Sequence, residues 1–242
     1  METELHRRKY LDLFIDFDDT LYDTYGNSVV ALRETFEAFG LERFFPEPKV
    51  FYDAYWQANI DLWGRYSRGE ITRPFLIVER FRRPLSQGRG LLVNEDLCLE
   101  MSDVFLDFCS SKSGVIEGAH LLMEHLRTRG YRMHMTSNGF HEVQYKKLEA
   151  SGLRQYFDTI ILSEDAGANK PSRLFFDYAL KRSGASADTT LMIGDNLQTD
   201  IMGALNAGID AMLFNRWGAD TGLLDKKPIF VVDRLSGILD IL

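Results

Sequence analysis

The chain predicts an α/β protein: a doubly wound parallel sheet with an all-helical insertion after its first strand. Three features of the 242 residues carry this expectation. From about residue 115 onward, short apolar runs alternate with stretches of helical period. Each of those stretches closes near a glycine, and the earlier segment 22–113 is helical in texture throughout. Nearly continuous apolar strands separated by helices belong to parallel sheets that are covered on both faces.

The first strand is expected at Asp12 to Phe17, and it ends in the acids Asp16, Asp18 and Asp19. Carboxylates two positions apart on a strand point to one face, so Asp16 and Asp18 can serve one site. Burying such a cluster unpaired costs roughly several kcal/mol per charge, so a cation is expected to hold it. Asn27 is expected to cap a helix that runs to Ala38 and stops at Gly40. From Pro48 to Tyr66, the residues Val50, Phe51, Ala54, Tyr55, Ala58, Leu62 and Trp63 recur at helical spacing. Thr72 and Asn94 cap two further helices, Phe75 to Arg82 and Asp96 to Phe108. Four later helices finish before Gly130, Gly152, Gly184 and Gly208: Leu121 to Arg129, Val143 to Ala150, Phe175 to Arg182 and Ile201 to Asn206. Glycine just past a helix end takes the left-handed conformation at little cost. The strands among them are Tyr131 to Thr136, Thr159 to Leu162, Thr190 to Ile193, Ala211 to Phe214 and Ile229 to Val232. The expected division is a core of residues 1–21 and 114–242 and a helical domain of residues 22–113. An insertion leaving the end of the first strand stands near the carboxyl ends of the strands, where open α/β sheets bind ligands.

Composition narrows the function. A formal net charge of −8 argues against a nucleic-acid or anionic-membrane surface. No apolar run approaches the roughly 18 residues of a membrane span, and the start of the chain (Glu2, Glu4, Arg7-Arg8-Lys9) lacks an export-signal core. Cys98 and Cys109 fall on one expected helix about three turns apart, too far to bond. Two buried thiols fit a reducing compartment, so the expectation is a cytoplasmic monomer or homodimer.

Four chemical signals fall at strand ends, in order. They are Asp16 with Asp18, then Ser137-Asn138-Gly139, then Asn169-Lys170-Pro171, then Gly194-Asp195 through Asp200. Each alone reads as a turn or a surface position; together they supply carboxylates, a hydroxyl with backbone amides, and a cation. Hard oxygen donors favour Mg²⁺.

These segments resemble the four motifs of the haloacid dehalogenase-like (HAD) hydrolase superfamily: Asp-x-Asp-x-Thr, Ser/Thr-Asn, Lys-Pro and Gly-Asp-x-x-x-x-Asp. The insertion resembles its helical cap of the C1 type. Within it, Leu62-Trp63-Gly64-Arg65-Tyr66-Ser67-Arg68-Gly69-Glu70-Ile71-Thr72 is similar to the cap stretch of bacterial pyrimidine-type 5'-nucleotidases, as are Ser137 to Phe140 and Gly194 to Gly208. The resemblance implies a Rossmann-like core and a Mg²⁺-dependent phosphomonoester hydrolase acting on a small phosphorylated metabolite, foremost a pyrimidine nucleoside 5'-monophosphate. It implies Asp16 as nucleophile and Asp18 as acid, then base. It implies Mg²⁺ on Asp16, the carbonyl of Asp18 and Asp195, with Ser137, Asn138, Gly139 and Lys170 around the phosphoryl group. Phe140 is expected as a substrate wall, and Thr20 and Asp200 in support, Asp200 by orienting Lys170 or a metal-bound water. The cap is expected to close over substrate and read the base. The rivals are a sugar-phosphate phosphatase or mutase of the same superfamily, a 2-haloacid dehalogenase, and a binding protein without catalysis. Asp18 argues against the dehalogenase, and the intact set of acids with Lys170 against the binding protein.

Other residues take blander readings. Asp19 is expected as a solvated neighbour and His134 as a satisfied core histidine; His120, His125 and His141 show no ligand spacing. The aromatic row Tyr52, Tyr55, Trp56, Trp63 and Tyr66 is expected to pack the cap. Arg73, Arg80, Arg82, Arg83 and Arg89 are expected on a solvated face.

Overall fold

The computed structural model describes residues 9–222 and 224–242; residues 1–8, on which most of the export-signal argument rested, lie outside the described residues. Its strands are β1 (Asp12–Asp16), β2 (Arg132–Ser137), β3 (Thr159–Leu162), β4 (Thr190–Gly194), β5 (Asp210–Phe214) and β6 (Phe230–Val232). Its helices are α1 (Thr24–Ala38), α2 (Pro48–Ser67), α3 (Arg73–Leu85), α4 (Glu95–Ser110), α5 (Ala119–Thr128), α6 (His141–Ser151), α7 (Ser163–Ala166), α8 (Arg173–Ser183) and α9 (Gly203–Asn206). They fall into two compact units.

Of the described residues, the first unit holds those up to Tyr22, those of Val115–Phe140 and those of Leu153–Leu242. Its six strands pair in parallel in the order β3-β2-β1-β4-β5-β6. The chain thus winds outward from β1 through β2 to β3, then returns to build β4 to β6 on the other side. Strand order reverses between β1 and β4, the place where such sheets bind ligands. Every residue of β1 is buried, which explains its unbroken apolar run. Phe14, Met192, Ala211 and Leu213 pack with Phe175 and Phe176 of α8 and with Ile201. The buried Asp12 accepts from Arg132 Nη2 at 2.6 Å and lies 3.0 Å from His134 Nε2. His134 is therefore a core histidine, as expected, but only half satisfied: its Nδ1 is buried without a hydrogen-bond partner.

The second unit is helical and holds Asp23–Gly114 with His141–Gly152. Its core is aromatic: Phe36 and Tyr52 meet Phe51, and Tyr55 meets Phe81 and Phe105. Two differences from the sequence expectation have simple causes. Helix α1 starts at Thr24 because Asp23 caps it, its carboxylate accepting from Gly26 N at 3.3 Å. Asn27 lies inside the first turn and donates instead to Gly114 O at 2.8 Å. Helix α6 packs with this unit rather than the first: Glu142 pairs with Arg73, and Lys146 Nζ lies 2.7 Å from Asp107 Oδ1. Thr72 and Asn94 cap α3 and α4 as expected. Arg80 departs from its four companions: it is buried, donates to Ser102 Oγ at 2.8 Å and lies over Phe81 and Phe105. Its long stem and flat cation suit an aromatic interior. Cys98 and Cys109 are buried thiols outside any disulfide, and Cys109 Sγ donates to Ser28 Oγ at 3.6 Å. Among the described residues, no helix is long and apolar enough to cross a membrane.

Candidate active site

All four strand-end segments lie in the first unit, and three of them meet at one buried cation. Lys170, from the loop before α8, places Nζ 2.6 Å from Asp16 Oδ1 and 2.7 Å from Asp200 Oδ1. The same ammonium donates to Thr136 O at 2.9 Å, the penultimate carbonyl of β2. Asn138 fixes the loop that carries the lysine: its Oδ1 accepts from Lys170 N at 2.8 Å and its Nδ2 donates to Lys170 O at 2.9 Å. A side-chain amide paired both ways with one residue's backbone sets that residue's position and direction.

Asp16 closes β1 with its other oxygen accepting from Thr20 Oγ1 at 3.1 Å. Ser137 ends β2, donates to Asp18 Oδ2 at 3.4 Å and accepts from Gly139 N at 3.0 Å. Asp195 follows β4. One carboxylate oxygen from each of Asp16, Asp195 and Asp200 lies within 4.8 Å of the others. The structure thus brings Asp16 and Asp195 together as the sequence anticipates and adds the carboxylate of Asp200, while the Asp18 carboxylate turns toward Ser137. Phe140, expected as a substrate wall, is packed in the interior with 2% exposure.

Asp200 reaches the site through an unusual turn. Where the sequence predicts an α-helix from Ile201, the chain forms a π-helical segment, Leu197–Met202, that runs into α9. Asn196 starts it, accepting from Gln198 N and Thr199 N at 3.0 Å each. The backbone N of Asn196 donates to Asp200 Oδ2 at 3.1 Å, so both Asp200 oxygens are engaged. Orienting Lys170 is the geometry Asp200 shows. Asp19, expected as solvated, is instead paired with Arg216, Nη1 to Oδ1 at 3.5 Å. Asn196 and Arg216 were not singled out from sequence, although both sit just past strand ends, where functional side chains gather.

The electrostatics follow from burial. Desolvation raises Asp16 to about 8; Asp200 and Asp18 add to the rise and Lys170 opposes it. Desolvation likewise raises Asp195 to about 9, helped by Asp16, Asp200 and Asp19. Burial disfavours the Lys170 ammonium, but Asp16 and Asp200 outweigh it and hold the lysine charged, above its ordinary range. Three clustered carboxylates around one ammonium leave an excess of negative charge and hard oxygen donors, which fits a small divalent cation. Chemically, the arrangement offers a nucleophilic carboxylate, a second carboxylic acid, and a fixed positive charge beside them.

A family model for haloacid dehalogenase-like hydrolases matches residues 13–208. The chain is 32% identical over 210 residues to the pyrimidine 5'-nucleotidase YjjG of Escherichia coli, covering 84% of this chain and 85% of that protein. It is 30% identical over 234 residues to the pyrimidine 5'-nucleotidase PynA of Streptococcus pneumoniae, covering 96% and 95%. The solved structure of the putative HAD-hydrolase YfnB from Bacillus subtilis, bound to magnesium, matches with a TM-score of 0.85 at 30% identity, covering 97% of this chain and 99% of that one.

Proposed function

This chain belongs to the haloacid dehalogenase-like hydrolase family, and from that premise we propose that it hydrolyses phosphomonoesters through a phosphorylated Asp16. The observation that carries the reading is the meeting of Asp16, Asp195 and Asp200 around Lys170 at the switch point of the sheet.

In the first step an Asp16 oxygen bonds to phosphorus while the ester P–O bond breaks. The leaving oxygen takes a proton from Asp18. In the second step Asp18 takes a proton from water as that water attacks phosphorus. The bond to Asp16 breaks, inorganic phosphate leaves, and both side chains return to their starting states. Splitting one displacement into two lowers each barrier, and the same carboxyl group serves as acid and then as base. Lys170 opposes the upward shift of Asp16, orients it and offers positive charge to the phosphoryl oxygens, joined by the Ser137 hydroxyl and the Asn138 amide. Asp16 and Asp195, with the Asp18 carbonyl, would hold Mg²⁺, which supplies positive charge to offset repulsion between carboxylates and phosphate.

Nucleoside 5'-monophosphates, pyrimidine ones first, are the proposed substrates, supported by the named activities of YjjG and PynA. The buried, reduced thiols of Cys98 and Cys109 support a reducing, cytoplasmic setting. A phosphate-release screen over UMP, dUMP, dTMP, purine monophosphates and sugar phosphates with Mg²⁺ tests the proposal. Preference for a pyrimidine nucleotide is expected. Preference for a sugar phosphate overturns the nucleotidase assignment and spares the phosphatase one, and no release from any of them overturns both.

A further inference from the structure

The loop after β5 presents an arginine and a tryptophan side by side. Asn215 closes that loop on itself: its Oδ1 accepts from Ala219 N at 2.7 Å and its Nδ2 donates to Ala219 O at 3.0 Å. Its own N donates to Val232 O at 2.7 Å, tying the loop to the end of β6. Arg216 lies with its guanidinium carbon 4.4 Å from the centre of the Trp217 ring. From there Nη1 reaches to 3.5 Å from Asp19 Oδ1, both side chains being about three-quarters buried. Because β4 lies between β1 and β5 in the sheet, this pair runs from the end of β5 to the end of β1 across the strand that delivers Asp195.

Asp19 occupies an uncommon backbone position. Among the described residues it alone, glycines apart, has a positive φ, 60°. Asp and Asn tolerate that region better than other side chains. The turn is closed by Asp19 N donating to Tyr22 O at 2.8 Å, and by Leu21 N and Tyr22 N both donating to Phe17 O. The direction of this turn sets the direction of Asp18.

We propose that Arg216 is a positioning residue for this site: by pairing with Asp19 it fixes the turn that aims Asp18. The assignment rests on the phosphatase reading above, in which Asp18 moves the proton. Its effect is geometric, and displacing a reacting group by about 1 Å can cost about a hundredfold in rate.

The test compares Arg216→Ala, Arg216→Lys, Asp19→Asn and the Arg216→Ala/Asp19→Asn double variant, well below their melting temperatures and with saturating Mg²⁺. Arg216→Ala is expected to lower kcat by at least about tenfold while KM stays within about twofold. Arg216→Lys keeps the charge of the ion pair but not the planar face over Trp217, so it should recover part of the loss. Asparagine keeps the left-handed backbone, so Asp19→Asn removes the charge alone and should lower kcat as Arg216→Ala does. The double variant should be no worse than the worse single, since both break one interaction. A purely structural arginine would lower melting temperature and leave kcat intact.

The assignment fails if Arg216→Ala keeps kcat within about twofold, if KM alone rises, or if the two losses multiply. Should Arg216→Ala not fold, Asp19→Asn and Arg216→Lys carry the same comparison. An active wild type with an unaffected arginine variant overturns this assignment alone; a wild type that releases no phosphate overturns the phosphatase reading and this with it.

Discussion

Lys170 holds its ammonium 2.6 Å from Asp16 Oδ1, and both residues are buried. The pair cannot be read as stabilisation, because two desolvated charges rarely gain net free energy over apolar packing. Its value is placement. The lysine pins one oxygen of the proposed nucleophile, Thr20 holds the other, and Asp200 and Asn138 hold the lysine.

Lys170→Ala is therefore expected to cost on the order of 3 kcal/mol in the transition state, the scale of one fixed electrostatic donor. That corresponds to roughly two orders of magnitude in kcat/KM. It should also lower the melting temperature, since Asp16 and Asp200 lose their cation. Steady-state phosphate release measures the first effect, and a change below about threefold would contradict the role given to the lysine.

Asp16→Asn keeps the shape of the side chain and removes the attacking oxygen's charge. Turnover should fall to background while the far-UV circular dichroism spectrum stays that of the wild type. Normal phosphate release from a correctly folded variant would remove Asp16 as nucleophile.

The acids predict how stability depends on pH when divalent metal is chelated. Burial holds Asp16 at about 8 and Asp195 at about 9 in the folded chain, against about 3.9 for an unfolded aspartate. Between about pH 4 and pH 9 the folded state thus binds more protons than the unfolded one. Their contribution is greatest at the low end and is lost as pH rises through the folded values. Mg²⁺ binds the ionised form and stabilises what it binds, so it should restore most stability at the top of this window. Melting temperatures with chelator and with Mg²⁺, taken from pH 5 to 9, should diverge as pH rises. A gap that stays constant or narrows would contradict the buried-acid cluster as the metal site.

Much of this was legible in sequence because burial and chemistry coincide there. β1 is buried on both faces, so its apolar run and its terminal acids stand out. Glycines at 130, 152, 184 and 208 marked helix ends because their positive φ values are ones a side chain resists. What sequence reading missed depends on competition between equivalent groups. Asp23 and Asn27 are both good caps, and packing against Gly114 decided between them. Helix α6 is tied to the helical unit by Arg73–Glu142 and Lys146–Asp107, ion pairs that join residues distant in the chain. The π-helical turn at Leu197–Met202 gave no periodic signal because one extra residue per turn is invisible in a short polar stretch.

That turn makes Gly194 critical, which leads to a prediction about space rather than charge. A Cβ built on Gly194 would lie 2.4 Å from Asp200 Oδ2 and 2.7 Å from Asp200 Cβ. Asp200 cannot yield freely, because its oxygens are engaged by Lys170 and by Asn196 N. Gly194→Ala must therefore push Asp200 away from the lysine, at an overpacking cost of roughly 1–3 kcal/mol. The expected outcome is a kcat at least about tenfold lower, with a lower melting temperature. In an Asp200→Gly background all of the clashing atoms, Cβ included, are already gone, so Gly194→Ala should add little further loss. Wild-type kcat in the single variant, or losses that multiply in the double, would show that Gly194 does not act through the Asp200–Lys170 pair.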